Sequence, residues 1–325
     1  MRVLVTGGAG YIGSHVVWQL RERGDEVTVV DDLVTGVETR IGDTQVTRMS
    51  LEDVGVVDAL AATMAGHDAV IHFAARKRVD ESVQRPAWYY QQNIGSLANV
   101  LLAMEKAGVS AVVFSSSAAV YGRSEGEHLV EATPTVPINP YGRTKLIGEQ
   151  MLAEASHAAG LRAASLRYFN VAGAGRPELG DTAVLNLVPM VFERIDRGLP
   201  PLIFGDDYAT PDGTCIRDYI HVSDLADAHL AALDLLESSS RPGHEVFNVG
   251  TGSGSSVREM VDSILAVSGA EVVPEVRPRR AGDPAVVVAD PSRALHVMQW
   301  KARFGLPEIV ESAWAAHRML VPADG

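Results

Sequence analysis

Met1-Arg2-Val3-Leu4-Val5-Thr6-Gly7-Gly8-Ala9-Gly10-Tyr11-Ile12-Gly13-Ser14 reads as a short buried strand, a glycine-rich turn and the start of a helix. Arg2 to Thr6 carries the apolar, β-branched run of a strand covered on both faces. The turn needs residues free to take positive φ, which glycine does at little steric cost. It also needs a surface bare of Cβ atoms, where a pyrophosphate can approach backbone N–H groups at a helix N-terminus. Gly13 lets the helix pack closely on the strand. The spacing is Gly7-x-x-Gly10-x-x-Gly13, not the Gly-x-Gly-x-x-Gly of many dehydrogenases. A second strand, Glu26–Val30, ends in Asp31-Asp32, and Asp31 lies 24 residues beyond Gly7. That is where a carboxylate accepting from a ribose hydroxyl is expected. An acid there, with no arginine immediately following, selects NAD over NADP.

The chain has 325 residues, 46% hydrophobic and 21% charged, enough for a large core in two lobes. Its net charge of −13 argues against a general nucleic-acid or anionic-membrane surface, so an anionic substrate needs a local basic pocket. Cys215 is the only cysteine, which excludes an intrachain disulfide and a thiolate metal cluster. No apolar run approaches the roughly 18 residues of a membrane span. A strand starting at Arg2 leaves no room for a signal peptide. These features lead us to expect a soluble protein of the reducing cytoplasm.

Strand-like runs at Arg2–Thr6, Glu26–Val30, Gln45–Arg48, Ala69–Phe73, Ala111–Ser115 and Ala163–Tyr168 alternate with helical patterns. The helices are expected at Tyr11–Arg23, Leu51–Ala65, Pro86–Ala107 and Pro140–Ala159. This is the βαβ signature of an α/β fold, a Rossmann-type doubly wound parallel sheet. Residues 1–170 form that domain. Val171–Gly180, rich in Gly, Ala and Pro, crosses to a smaller C-terminal α/β substrate lobe at 171–325. Further helices fit Ala183–Arg197, Val222–Leu236 with Ser223 as N-cap, Ser256–Ser268, Pro291–Met298 and Pro307–Met319. A strand at Glu245–Val249 is expected to rejoin the first sheet.

Tyr141-Gly142-Arg143-Thr144-Lys145 opens a helix and places Tyr141 and Lys145 on one face. A nearby ammonium favours phenolate, making the tyrosine a usable acid/base. Upstream, Phe114-Ser115-Ser116-Ser117-Ala118 ends a strand, and ligands of open α/β sheets bind at such ends. His72, His221 and Cys215 read as core residues, and no carboxylate/histidine spacing suggests a metal site.

The glycine pattern, the strand-end serine and Tyr-x-x-x-Lys together resemble the extended short-chain dehydrogenase/reductase family. Leu4 to His15, Ile71-His72-Phe73-Ala74-Ala75, Phe114 to Gly122 and Leu166-Arg167-Tyr168-Phe169-Asn170 are similar to the UDP-glucose 4-epimerases of that family. So is Asp212-Gly213-Thr214-Cys215-Ile216-Arg217-Asp218-Tyr219-Ile220-His221-Val222. The resemblance implies C4 inversion of a UDP-hexose through a 4-keto intermediate, with retained NAD. Tyr141 is the implied base, Lys145 binds the nicotinamide ribose and keeps Tyr141 anionic, and Ser117 hydrogen-bonds O4. Cofactor contacts carry over to Gly7, Gly10, Tyr11, Ile12, Gly13, Asp31, Phe73, Ala74, Lys77 and Phe169. Asn93 is expected to fix its helix or touch the cofactor region. Ser50 replaces the aspartate that in these epimerases contacts adenine.

The same resemblance assigns substrate contacts to Asn170, Asn186, Leu187, Phe204, Arg217, Arg280 and Asp283. In these epimerases a residue after the Arg-x-Gly-Asp segment sets pocket size, a tyrosine restricting it to plain hexoses. Counting from Asp283 places Val287 there, which implies turnover of UDP-N-acetylglucosamine as well. A homodimer is implied through Pro86–Ala107 and Pro140–Ala159; Leu97, Leu101 and Met104 fit such a face and equally fit plain core. The rival readings are a UDP-glucuronate 4-epimerase, a reductase, a dehydratase or a non-catalytic NAD-binding sensor. Ala118-Ala119 lacks the added acid/base of a dehydratase.

Overall fold

The computed structural model describes residues 1–123, 128–280 and 282–321. The first half runs β1 (Arg2–Thr6), α1 (Tyr11–Arg23), β2 (Glu26–Asp31), β3 (Val46–Arg48), α2 (Val56–Met64), β4 (Ala69–His72), α3 (Val79–Gln84), α4 (Pro86–Tyr90) and α5 (Ser96–Ala107). Then come β5 (Ala111–Ser117), α6 (Pro140–Ala159), β6 (Arg162–Tyr168) and β7 (Asn170–Ala172). The second half runs α7 (Leu187–Asp196), β8 (Leu202–Phe204), β9 (Ile216–His221), α8 (Val222–Ser238), β10 (Gly243–Val249), β11 (Gly254–Ser256) and α9 (Val257–Ser268). It ends with β12 (Glu275–Arg277), β13 (Val286–Val287), α10 (Ser292–Met298) and α11 (Leu306–Leu320).

Seven strands form one parallel sheet in the order β10-β6-β5-β4-β1-β2-β3. Successive side chains of a strand point to opposite faces, and both faces are covered here. Val3 and Val5 pack with α1 and α8 residues such as Val17 and Leu225. Leu4, between them, packs with Leu60, Leu97 and Leu152 of α2, α5 and α6. The strand order reverses at β1, with β2 on one side and β4 on the other, which places the ligand crevice at their carboxyl ends. The second half builds smaller sheets, β11-β9-β13 with β7 on β9, and β12-β8. Helices α7, α9 and α11 bury Val191, Phe192, Ile264 and Ile309 over them.

Several boundaries differ from the sequence reading, each for a local reason. The helix expected from Leu51 starts at Val56, because Gly55 takes φ +85° just before it. Pro86–Ala107 is α4 and α5 joined by a π-helical turn at Gln91–Gly95, and α3 precedes them. Ser223 does not cap α8; the His221 side chain does, its Nδ1 accepting from the Ser223 N–H at 3.1 Å. Strand β9 escapes a hydrophobic-pattern reading because Ile216-Arg217-Asp218-Tyr219-Ile220-His221 interleaves charges with apolar residues. Leu97 and Met104, offered as interface residues, are fully buried core, whereas Leu102 is exposed.

The turn between β1 and α1 has no space for a side chain at Gly7 or at Gly13, the latter in the first turn of α1. A Cβ on Gly13 would lie 2.3 Å from the Gly7 carbonyl oxygen and 2.8 Å from Gly8 Cα. Gly24 has φ +93° but open space around it. Gly13→Ala should therefore destabilise the chain by about 2–3 kcal/mol through overpacking and displace the turn. Gly24→Ala should cost about 1 kcal/mol through φ alone. Chemical denaturation of both variants checks the order, and Gly13→Ala as the milder change would contradict it.

Candidate active site

The crevice floor is the turn after β1. Gly7, at φ +70°, approaches the chain after β4 so closely that a Cβ would sit 2.7 Å from the Ala74 nitrogen. Helix α1 starts at Gly10, which offers no capping side chain, so its first-turn N–H groups stay free for an anion. Asp31, at the end of β2, accepts from the Ala9 N–H at 3.0 Å and from the Leu33 N–H at 2.9 Å. Burial raises its carboxyl pKa against those two bonds. Gly7, Gly10, Tyr11, Ile12, Gly13, Asp31, Phe73, Ala74 and Lys77 all line one cleft with Tyr141 and Lys145. The bare glycine cradle, the free helix N-terminus and the ribose-side carboxylate fit a dinucleotide. Phe169 is placed elsewhere, packed with Val120, Tyr121, Leu129 and Ala289, and Val287 packs on the same cluster.

Other residues complete the cleft that the sequence reading did not single out. Arg76 Nη2 and Asp32 Oδ2 pair at 2.6 Å, and Arg76 Nε donates to Gln92 Oε1 at 3.0 Å. Of the Arg76-Lys77-Arg78 run, both Arg76 and Lys77 line the cleft. Asn93 sits in the π-helical turn and spans two segments. Its Oδ1 accepts from the Arg76 N–H at 2.8 Å, and its Nδ2 donates to the Arg76 carbonyl and to Thr144 Oγ1, both at 3.0 Å. Beside β3 the lining residues are Met49, Leu51 and Glu52, not Ser50. From the second half, Asp181, Thr182 and Leu185 reach the same cleft. Arg40 holds that segment, donating to the Gly180 carbonyl at 2.9 Å and to Thr182 Oγ1 at 3.0 Å.

Helix α6 presents the acid/base residues. Asn139 caps it by accepting from the Gly142 N–H at 2.8 Å, and Pro140 opens its first turn. A Cβ on Gly142 would lie 2.5 Å from the Ala119 carbonyl oxygen, so the helix tip rests on the turn after β5. Ser117 ends β5 and accepts from the Ala119 N–H at 3.1 Å. Lys145 Nζ donates to the Ser115 carbonyl at 2.7 Å, 5.0 Å from the Phe114 ring centre and 5.9 Å from that of Tyr141. One of its three donors is thus committed and two remain. Burial lowers the Lys145 pKa to about 7. Burial also raises the Tyr141 phenol, and the Ser117 hydroxyl offsets this only in part. The lowering of Tyr141 expected from Lys145 is not found: burial dominates, and the opposing influence is the Ser117 hydroxyl.

The remaining sequence-derived residues lie on the second-half elements. Arg217, in β9, pairs with Asp283 at 3.2 Å, and β13 places Val287 in register with it. The Arg280 guanidinium lies 4.1 Å from the Phe204 ring centre. Asn170 opens β7 opposite Tyr219. Asn186 precedes α7 and donates to Asp181 Oδ2 at 2.9 Å, and Leu187 is the first residue of α7. His72 bonds Thr6 Oγ1 at 2.7 Å, His221 bonds Ser312 at 3.0 Å, and Cys215 is buried. Among the described residues no His/Cys/Asp/Glu cluster has metal-binding geometry, and no helix is long and apolar enough to cross a membrane.

Lys145 has an ordinary pKa of 10.5, and its folded value is about 7. Between those values the unfolded chain holds a proton that the folded chain lacks, so the nucleotide-free protein loses stability as pH falls through that window. Nucleotide-free Lys145→Met should resist urea better than the parent at pH about 7, with the advantage shrinking towards pH 10.5. Urea titrations across the window check this; a constant difference would assign it to packing alone.

Residues 3–250 match the model of the NAD dependent epimerase/dehydratase family. A UDP-glucose 4-epimerase from Azospirillum brasilense is 46% identical, covering 100% of this chain and 94% of that protein. The crystal structure of a UDP-glucose 4-epimerase from Brucella ovis in complex with NAD superposes with a TM-score of 0.92 at 42% identity, covering 97% and 98% of the two chains. That of a UDP-glucose-4-epimerase from Stenotrophomonas maltophila, with bound NAD and formylated UDP-arabinopyranose, gives 0.91 at 41%, covering 98% of each. The chain belongs to the NAD dependent epimerase/dehydratase family.

Proposed function

We propose that this chain inverts C4 of a UDP-hexose, interconverting UDP-glucose and UDP-galactose with NAD as resident cofactor. The observation that carries this reading is the meeting of Ser117, Tyr141 and Lys145 beside the glycine cradle. Tyr141 and Lys145 line the cleft at the carboxyl ends of β1 and β4, and Ser117, the last residue of β5, hydrogen-bonds Tyr141. When bound, NAD supplies the hydride acceptor and donor for C4. Tyr141 takes the proton of the 4-hydroxyl as C4 is oxidised and returns it to the same oxygen once C4 has been reduced from its opposite face. Ser117 hydrogen-bonds that oxygen and relays the proton. The two free Lys145 donors hold the nicotinamide ribose.

In this reading residues 1–170, with β10, hold NAD on Gly7, Gly10, Tyr11, Ile12, Gly13, Asp31, Phe73, Ala74 and Lys77, while Phe169 supports the cleft from the cluster it packs in. Residues 171–325 hold the UDP-sugar. Arg217 and Arg280 face the diphosphate, for which a guanidinium fork is suited. Phe204, beneath Arg280, packs on uracil. Asn170, Asn186, Leu187 and Asp283 complete the sugar-nucleotide contacts. Val287 replaces a bulky wall with a small one and admits a 2-acetamido group. The protein acts in the cytoplasm as a homodimer through α5 and α6, with exposed Leu102 rather than Leu97 or Met104 at the contact.

The decisive assay incubates the purified protein, without added cofactor, with each UDP-hexose and each UDP-N-acetylhexosamine and identifies the products. Conversion of neither UDP-glucose nor UDP-galactose would overturn the reading. Tyr141→Phe should lower kcat about a thousandfold while bound nucleotide is retained, as chromatographic analysis of the released nucleotide would show. Val287→Tyr should lower kcat/KM for UDP-N-acetylglucosamine at least about tenfold relative to UDP-glucose. An unchanged ratio would remove Val287 from substrate selection.

A further inference from the structure

Two turns beyond Tyr141 and one beyond Lys145, α6 carries Glu149, whose side chain is 5% exposed and serves no substrate or cofactor role assigned above. Its carboxylate accepts from Ser116 Oγ, from Arg167 Nε at 2.8 Å and from Arg167 Nη2 at 2.6 Å. Ser116 precedes Ser117 in β5. Arg167 precedes Tyr168 in β6, and Tyr168 bonds Ser115 through its hydroxyl. The Arg167 side chain is 6% exposed, and its Nη1 donates to Tyr121 Oη at 3.0 Å and to the Glu131 carbonyl at 3.2 Å. Tyr121 donates to Asn248 Oδ1 at 2.6 Å, and Asn248 donates to the Leu129 carbonyl, also at 2.6 Å. The Leu129 N–H donates to the Val288 carbonyl at 2.8 Å, beside Val287.

We propose that Glu149 and Arg167 are a positioning pair for the acid/base chemistry, setting the register of α6 over β5 and β6 so that Tyr141 and Lys145 meet Ser117. This rests on the catalytic reading of those three residues. Helix α6 packs tightly on β5 at Gly148, where a Cβ would lie 2.6 Å from the Phe114 ring. A glycine contact allows close packing but offers no side chain to stop the helix sliding or rolling. The adjacent Glu149 supplies three directional bonds that do. Three consecutive β5 residues are then assigned in turn: Ser115 binds Lys145 through its carbonyl, Ser116 binds Glu149, and Ser117 faces the reaction. Replacing a buried ion pair by apolar residues of similar size is often neutral or stabilising. Stability alone therefore does not require this pair, and its geometric role is separable by experiment.

The test compares the NAD-loaded parent with Glu149→Gln, the double variant Glu149→Leu/Arg167→Met, and Ser116→Ala. In the double variant, Tm and bound nucleotide should match the parent and KM for UDP-galactose should stay within about twofold. Its kcat should fall about ten- to a hundredfold, the effect of small misplacement of reacting groups. The near-ultraviolet absorbance of reduced nicotinamide should rise correspondingly more slowly on mixing with substrate. Glu149→Gln should show the same kcat/KM pattern. Parental kcat in the double variant or in Glu149→Gln would overturn the proposal. If neither folds, parental kcat in Ser116→Ala, which loses one oxygen atom, overturns it. Failure of the catalytic reading looks different, because Tyr141→Phe would then remain active.

Discussion

No side chain fits at Gly7 or Gly13, where β1 turns into α1, and that exclusion fixes the distances on which the site depends. Gly7 lies against Ala74, and Gly13 lies against Gly7. Two residues past Ala74, both backbone polar groups of Arg76 are held by Asn93, and Asn93 reaches Thr144 on α6. Thr144 Oγ1 in turn donates to the Tyr141 carbonyl at 2.7 Å. A continuous series of backbone contacts and hydrogen bonds thus runs from the phosphate cradle to the acid/base helix. The π-helical turn at Gln91–Gly95 is part of that series, since Asn93 lies within it; such turns recur at functional sites.

Burial acts on Tyr141 and Lys145 in opposite directions, and both shifts disfavour charge. Burial thus opposes both the Tyr141 phenolate and the Lys145 ammonium. Charge arrives with the ligands: a cationic nicotinamide and an anionic diphosphate change the field in which a proton moves. The same desolvation that makes the groups responsive makes them a burden to the folded chain, as expected of a site selected for chemistry rather than stability.

Much of this was legible in the residues because it rests on local spacing. The glycines, Asp31 at the end of its strand, and Tyr141 with Lys145 on one helix face are short-range patterns, and the seven-stranded sheet follows from the βα alternation. What escaped depends on tertiary proximity. Arg76 pairs with Asp32 from a strand end 44 residues away, and Glu149 finds Arg167 across two elements. Nor does the sequence show that Phe169 packs among Tyr121 and Leu129, or that His221 rather than Ser223 caps α8. Strand β9 hid its identity because its polar positions include Asp218, which collects backbone N–H groups from Thr251, Gly252 and Ala289. The pKa of Tyr141 could not be read from Lys145 alone, since desolvation is a property of the closed structure.

The return of β10 to the main sheet has a consequence for how the polypeptide comes off the ribosome. Its seven residues pair along the whole length of β6, yet they follow the Rossmann segment by some seventy positions. Until they emerge, β6 is an uncapped edge with unpaired amide and carbonyl groups and a buried-type sequence, the kind of surface that invites association with other nascent chains. The seven-stranded sheet therefore cannot be completed until the chain has been made as far as Val249. A gene cut at the apparent boundary near residue 170 yields two incomplete halves rather than two domains.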